Sequence, residues 1–294
     1  MAPAGGRPPA VVEVSPQGVL AATAKAGSGP LYAFAALPTG TLTPRIDGIN
    51  LHAPDTVASA IRTALDEVSP RTRAVTLVLP DALVRVFMLE FDSLPAKAAE
   101  AIPVLRFRLR KMVPFDAEHA AVSYQVLSQT QTECNVLTAV IPGPVLEEYE
   151  SAVRAAGYEA GAVLPSSLAA LETMDEMEAV LAAHLSGATM TTTITNGQNL
   201  LLYRTVDLPQ DRDERSSEVQ RGIAVAAAYY EDKLQAPPRH LYYAGNEKIE
   251  EFAAWIGDAE MTIVELAPRP ESGGVSTLGP VSFAGVNGAL AGAR

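Results

Sequence analysis

The 294-residue chain has a single cysteine, Cys134, so no intrachain disulfide can form, which fits a reducing compartment. Cys134 lies in CNVLTAVI, a predicted buried strand, where a thiol serves as packing. Positive charge is scarce: 22 Lys and Arg against 34 Asp and Glu leave a net charge of −12. That excludes nucleic acid as the main partner, because phosphate binding needs a positive field, and it repels anionic membrane surfaces. No run reaches the roughly 20 apolar residues of a spanning helix. The opening MAPAGGRPPA has no apolar targeting core, and residues 1–10 read as a loose tail. A cytoplasmic protein is expected, with any membrane link made through a partner.

Catalytic signatures are missing as well. There is no Gly-x-Ser-x-Gly, no Walker loop and no His-Glu-x-x-His. His52, His119 and His240 are scattered, without acidic companions at metal-ligand spacing. The carboxylate groups Glu147-Glu148-Glu150 and Asp175-Glu176-Glu178 read as solvated helix faces. No catalytic residue and no metal ligand is expected.

What is present is a hydrophobic content of 48%, enough for a sizeable core and too much for a disordered chain. Val11–Val14 and Gly18–Ala24 read as strands around a Ser15-Pro16-Gln17-Gly18 turn, followed by a strand at Leu31–Leu37. Ala53–Val68 has helical spacing, and Val75–Leu79 and Val84–Leu89 are strands. A helical pattern is expected over Pro95–Met112, with Pro103 kinking it or marking a second start, then a hairpin of Ala120–Leu127 with Cys134–Ile141. Helix Pro144–Ala156, strand Tyr158–Leu164 and a long helix Ser166–Leu181 complete the first part.

The second part repeats the theme. Strands Thr189–Ile194 and Leu200–Val206 flank Asn196-Gly197, a strong hairpin signal. Gln210–Glu218 reads as a polar stretch before a helix at Val219–Leu234. Strand His240–Tyr243, helix Lys248–Ile256 and strand Met261–Leu266 follow. Pro268–Gly279 reads as a loop and Phe283–Ala291 as a short helix. The order suggests two similar α/β halves with an insertion in the first.

The most specific stretch is Val75 to Val126. Its run VLPDALVRVFMLEFDSLP, followed by AIPVLRFRLRKMVPFDAEHAAVSYQVL, resembles PilM, the actin-like component of type IV pilus assembly machines. AGAVLPSSLAALE and the closing SFAGVNGALAGAR are similar to further parts of that family. The resemblance implies an actin-like (ribonuclease H-like) two-lobed α/β fold. A first lobe would span 11–164 with an inserted α/β subdomain at about 75–160, and a second lobe 165–294. It further implies an ATP cleft, and a groove between the first half and its insertion that takes the cytoplasmic tail of the inner-membrane protein PilN. The pilus motor ATPase would be a further partner. The cytoplasmic L-type component of type II secretion shares the fold and is the nearest alternative. A working ATPase or sugar kinase is an alternative of another class.

An actin-like cleft needs Gly-rich strand turns whose amides approach phosphate, and acids to hold magnesium. The first turn here is Glu13-Val14-Ser15-Pro16-Gln17-Gly18, in which Pro16 has no amide to donate. The second aligns at Ala183–Thr189, with His184 where the family has aspartate, and reads as a packed or surface histidine. The adenosine-side turn is Ala244-Gly245-Asn246. The expectation is a degenerate site without hydrolysis. Candidate contacts for ATP and magnesium, should they bind, are Glu13, Ser15, Gly18, Ser186, Gly187, Gly245 and Asn246.

Ile102, Leu105, Leu109 and Met112 fall on one helical face, with four cations within six residues beside them. This is either a solvated basic face or part of a peptide acceptor. In the second reading Arg106, Phe107, Arg108, Arg110, Lys111, Pro114 and Phe115 touch the partner, the arginines through their planar donors.

Overall fold

The computed structural model describes residues 6–25, 28–174, 178–257, 261–267 and 281–293. The first sheet is built from β1 (Ala10–Ser15), β2 (Gly18–Lys25), β3 (Ser28–Ala36), β4 (Ala74–Leu79) and β8 (Glu159–Pro165), in the order β3-β2-β1-β4-β8. β1 to β3 form an antiparallel meander, and β1, β4 and β8 run parallel. The second sheet has β9 (Val180–Ser186), β10 (Thr189–Asn196), β11 (Asn199–Asp207), β12 (His240–Ala244) and β13 (Thr262–Glu265), in the order β11-β10-β9-β12-β13. Its meander and parallel pairs match the first sheet position for position. Two sheets of one topology give the two-lobed, actin-like fold that the resemblance implies.

On the first sheet, α1 (Pro54–Val68) and α3 (Gly143–Ala155) cover one face, burying Ile61, Leu65, Leu77, Leu79, Val145 and Tyr149. Between β4 and α3 stands a third, smaller sheet of β5 (Arg85–Phe91), β7 (Cys134–Ile141) and β6 (Ala121–Gln129), in the order β5-β7-β6. α2 (Ala98–Leu109) packs on one of its faces through Leu105 and Leu109, against Leu89, Cys134, Val136 and Val140. The added unit is therefore the segment 85–141. It is narrower than the expected 75–160, because β4, α3 and β8 all belong to the first lobe's own sheet and core.

Other expectations change. Ser166–Leu181 is no long helix: α4 (Ser166–Ala170) and a 3-10 turn (Leu171–Met174) come first, and β9 starts at Val180. AVLAAHL is helix-favouring by composition, but as the middle strand of its sheet it is buried on both faces, and such strands lack polar alternation. α5 (Arg212–Leu234) begins earlier than expected. Asp211 caps it, its carboxylate accepting the amides of Asp213 and Glu214 at 3.0 Å, so the polar stretch is the first two turns. α2 is shorter than Pro95–Met112 and runs through Pro103, while Met112 lies outside it and is exposed. The hydrophobic face is instead Ala101, Leu105 and Leu109.

The described part of the N-terminal tail is pinned, not loose. Arg7 pairs with Glu172 at 3.1 Å, and the Pro8 carbonyl accepts the Thr76 hydroxyl at 3.1 Å. Nor is Glu148 a merely solvated acid: its carboxylate accepts the amides of Asn50 and Leu51 at 2.7–3.0 Å. Asp175, Glu176 and the expected loop 268–279 lie outside the described residues. α6 (Ile249–Ile256) joins α5 on the second sheet around Phe252 and Ile223. α7 (Ala284–Ala291), expected within the second lobe, returns to the first. Val286, Ala289 and Leu290 pack with α4 on Val11, Leu20 and Val78, and the Tyr32 hydroxyl donates to Asn287 Oδ1 at 2.6 Å. None of the helices among the described residues is long and apolar enough to cross a membrane.

Candidate functional site

Two concave regions stand out. The first is the cleft between the sheets, at the carboxyl end of β4 and beside the β1–β2 turn. The carboxyl ends of parallel strands are where open α/β sheets place their ligands. A cavity of about 160 Å3 there is lined by Glu13, Ser15, Pro16, Ser186, Gly187 and Asn246, among others. It thus gathers most of the residues expected at a nucleotide. Gly18 and Gly245 do not line it. A Cβ on Gly18 would fall 2.5 Å from the Phe34 ring, and one on Gly245 2.3 Å from the Tyr243 hydroxyl, so packing accounts for both glycines.

Several polar groups around that cavity are already engaged. Ser15 Oγ donates to the Gly18 carbonyl at 3.0 Å and closes the first turn. The Gly187 carbonyl accepts Arg215 Nη2 at 2.8 Å, and Asn246 Oδ1 accepts the Ser282 amide at 2.9 Å. Beneath them lies a buried cluster drawn from both lobes. Asp81, at the turn after β4, accepts the Ser167 amide at 3.0 Å and the Thr191 hydroxyl at 3.3 Å. His184 of β9 sets Nδ1 3.0 Å from Asp81 Oδ2, and Nε2 3.4 Å from Ser166 Oγ. Ser166 in turn donates to Glu13 Oε1 at 2.7 Å.

Asp81 and His184 are 2% and 6% exposed, so their contact is shielded from bulk water. Glu13 borders the cleft, but its carboxylate end is buried and Oε2 has no hydrogen-bond partner. Burial pushes the Glu13 carboxyl up to about 7, only partly offset by the Ser166 hydroxyl and the nearby histidine. Burial works to lower His184, but the hydrogen bond and charge of Asp81, with the charge of Glu13, outweigh it and raise the imidazole above its usual value.

This set is a poor match for magnesium, which wants several unencumbered oxygens at octahedral positions. Both Asp81 oxygens and Glu13 Oε1 are engaged, and only Glu13 Oε2 is open. The cavity is also small against the roughly 300–1,000 Å3 of small-molecule sites. Among the described residues no group of His, Cys, Asp or Glu is arranged to hold a metal. The importance of Asp81 and Ser166 was missed in the sequence. The one usable signal was the Pro80-Asp81 turn closing a largely apolar strand.

The second concave region lies on the far face of the inserted sheet. Leu127 and Leu137 from that sheet face Leu164, Leu168 and Leu171 of the β8–α4 junction and Leu200 of β11, across a groove of about 430 Å3. β6 and β8 are both edge strands, so unpaired backbone groups border it.

The expected partner residues sit elsewhere, on and after α2. Arg106 turns inward, its Nη2 donating to the Ala120 carbonyl at 3.0 Å. Arg110 pairs with Glu118, and Phe115 packs under the helix. Phe107, Arg108, Lys111 and Pro114 face solvent, Phe107 with 71% of its surface exposed. The outer face of α2 is therefore a small apolar and basic patch, separate from the groove.

No family model matches the chain, and no curated protein matches it. Among solved structures, one chain of a PilM-PilN type IV pilus biogenesis complex superposes with a TM-score of 0.72. The two share one fold. The match covers 97% of this chain and 98% of the other at 18% sequence identity, so the third sheet and α2 are part of the likeness. The cytoplasmic domain of EpsL, an inner-membrane component of the type II secretion system of Vibrio cholerae, gives a TM-score of 0.49 over 80% of each chain at 15% identity. A Bacteroides thetaiotaomicron protein with an actin-like ATPase fold gives 0.47 over 82% of this chain and 83% of its own at 12% identity.

Proposed function

We propose that this protein is a cytoplasmic scaffold of a type IV pilus assembly machine that binds the cytoplasmic tail of a PilN-like inner-membrane protein. The observation that carries the reading is the near-full-length fold match to a chain of a PilM-PilN complex, insertion included. The groove where that insertion faces both lobes suits an extended peptide. Its leucines offer apolar pockets, and the edges of β6 and β8 offer backbone pairing. The protein would reach the membrane only through this partner. The outer face of α2, with Phe107, Arg108 and Lys111, is the second surface we assign to docking, free for a further component such as the pilus motor.

We further propose that the cleft does not hydrolyse nucleotide. Pro16 offers no amide to a phosphate, and His184 takes up the acid that would orient metal and water. Isothermal calorimetry with a synthetic tail of the PilN-like protein tests the main reading. Binding by the wild type, loss in Leu137→Asp and retention in Arg108→Glu are expected. No heat from the wild-type protein, at millimolar peptide, sinks the assignment.

A further inference from the structure

The cluster beneath the cleft can be resolved proton by proton. Ser166 has one hydroxyl hydrogen, and it goes to Glu13 Oε1. The Ser166 oxygen then keeps its lone pairs for the histidine nitrogen 3.4 Å away, a long contact in which the ring is placed to donate. Asp81 is surrounded by donors, the Ser167 amide and the Thr191 hydroxyl, and is an acceptor at both oxygens. The other histidine nitrogen, 3.0 Å from it, must donate too. A ring that donates from both nitrogens is an imidazolium. It comes from β9 of the second lobe and ends among groups of the first.

We propose that His184 is the resident cation of this cleft: held as an imidazolium against Asp81 and within reach of Glu13, it ties the second lobe to the first, where nucleotide and metal would do so in a working site. The inference deepens the non-hydrolytic reading of the cleft and is independent of where the tail docks. The facing groups are accounted for. Asp81 and Glu13 are the charged ones, Ser166, Ser167, Thr191 and the Tyr203 hydroxyl the polar ones. With Glu13 largely protonated below neutral pH, the buried site is electrically balanced without any added ion. A positive ion entering it would meet a like charge.

Two measurements decide this. Nitrogen-15 NMR of the intact wild-type protein at pH 7 reports the His184 ring directly. Both nitrogens are expected at imidazolium shifts, and a neutral tautomer overturns the proposal. Thermal melting with and without 5–10 mM magnesium chloride is the second (concentrations on the order of ordinary divalent assays). The wild type is expected to melt at one temperature regardless of magnesium. His184→Gln, which has no charge, is expected to melt several degrees lower in both conditions. His184→Asp, which places a third acid in the site, is expected to recover part of its loss only with magnesium. A wild-type melting point that rises with magnesium as far as the His184→Asp variant's would overturn the proposal. ATP turnover by the wild type would instead sink the non-hydrolytic reading while leaving the ring's protonation to NMR.

Discussion

At the scale of single residues, the structure turns on a few close approaches and one buried acid. Gly288 faces α4 so closely that a Cβ there would fall 1.9 Å from the Ala169 carbonyl oxygen and 2.9 Å from Ala170 Cα. Backbone cannot swing aside as a side chain can. Gly288→Ala is therefore expected to lower stability by about 2 kcal/mol or more, read as an earlier midpoint in urea unfolding. Glu13 makes a prediction of its own. Its carboxyl is raised from 4.5 to about 7 in the folded state. Across that window the unfolded chain releases the proton and the folded one keeps it, so the native state loses stability as pH rises. Glu13→Gln keeps an acceptor for Ser166 and cannot ionise. It should match the wild type near pH 4 and melt higher than the wild type at pH 8, and an unchanged difference across that range would refute the assignment. Neither residue was fully legible beforehand. Glu13 could be placed in a phosphate-side turn, but its neutrality depends on groups more than 150 positions away, Ser166 among them.

At the scale of elements, legibility followed the surroundings of each segment. α1 and α3 are exposed on one side, so their periodicity shows in the sequence, while the β1–β2 and β10–β11 hairpins, whose inner strands are buried on both faces, are marked by their turn residues. β9 is buried on both faces and reads as helix by composition. α5 starts with charged turns that look like a loop until Asp211 is recognised as a cap. For α2, the spacing was right at Leu105 and Leu109, and it also sets Arg106 and Arg110 on one flank and Arg108 and Lys111 on the other, though it does not show that the first flank is the engaged one. Two substitutions should show the division. Leu105, fully buried against the inserted sheet, should lose about 2–5 kcal/mol as Leu105→Ala. Phe107→Ala, just over half a turn away on the open face, should stay within roughly 0.5 kcal/mol in the same melt. A large stability loss at Phe107 would mean that the outer face of α2 is packed, not available.

At the scale of the whole molecule, the repeated topology was legible from the order of strands and helices, and the inserted unit from its own hairpin. The crossing of α7 was not, because a short helix of small residues carries no mark of which lobe it covers. The net charge of −12 predicts a salt effect of definite sign on docking. A tail carrying basic residues should bind more tightly at low ionic strength, with the change appearing mainly in the association rate. Stopped-flow association at two salt concentrations checks this, and a rate independent of salt would assign docking to the apolar groove alone.

The return of α7 also sets a schedule. The face of the first sheet bearing Val11, Leu20 and Val78 is made before the second lobe, yet the helix that covers it is made after that lobe. While the ribosome is still building the second lobe, that face stands bare, with only α4 to shield part of it. Nascent chains of this protein should therefore engage a holding chaperone until residues 284–291 emerge, and release it when they dock.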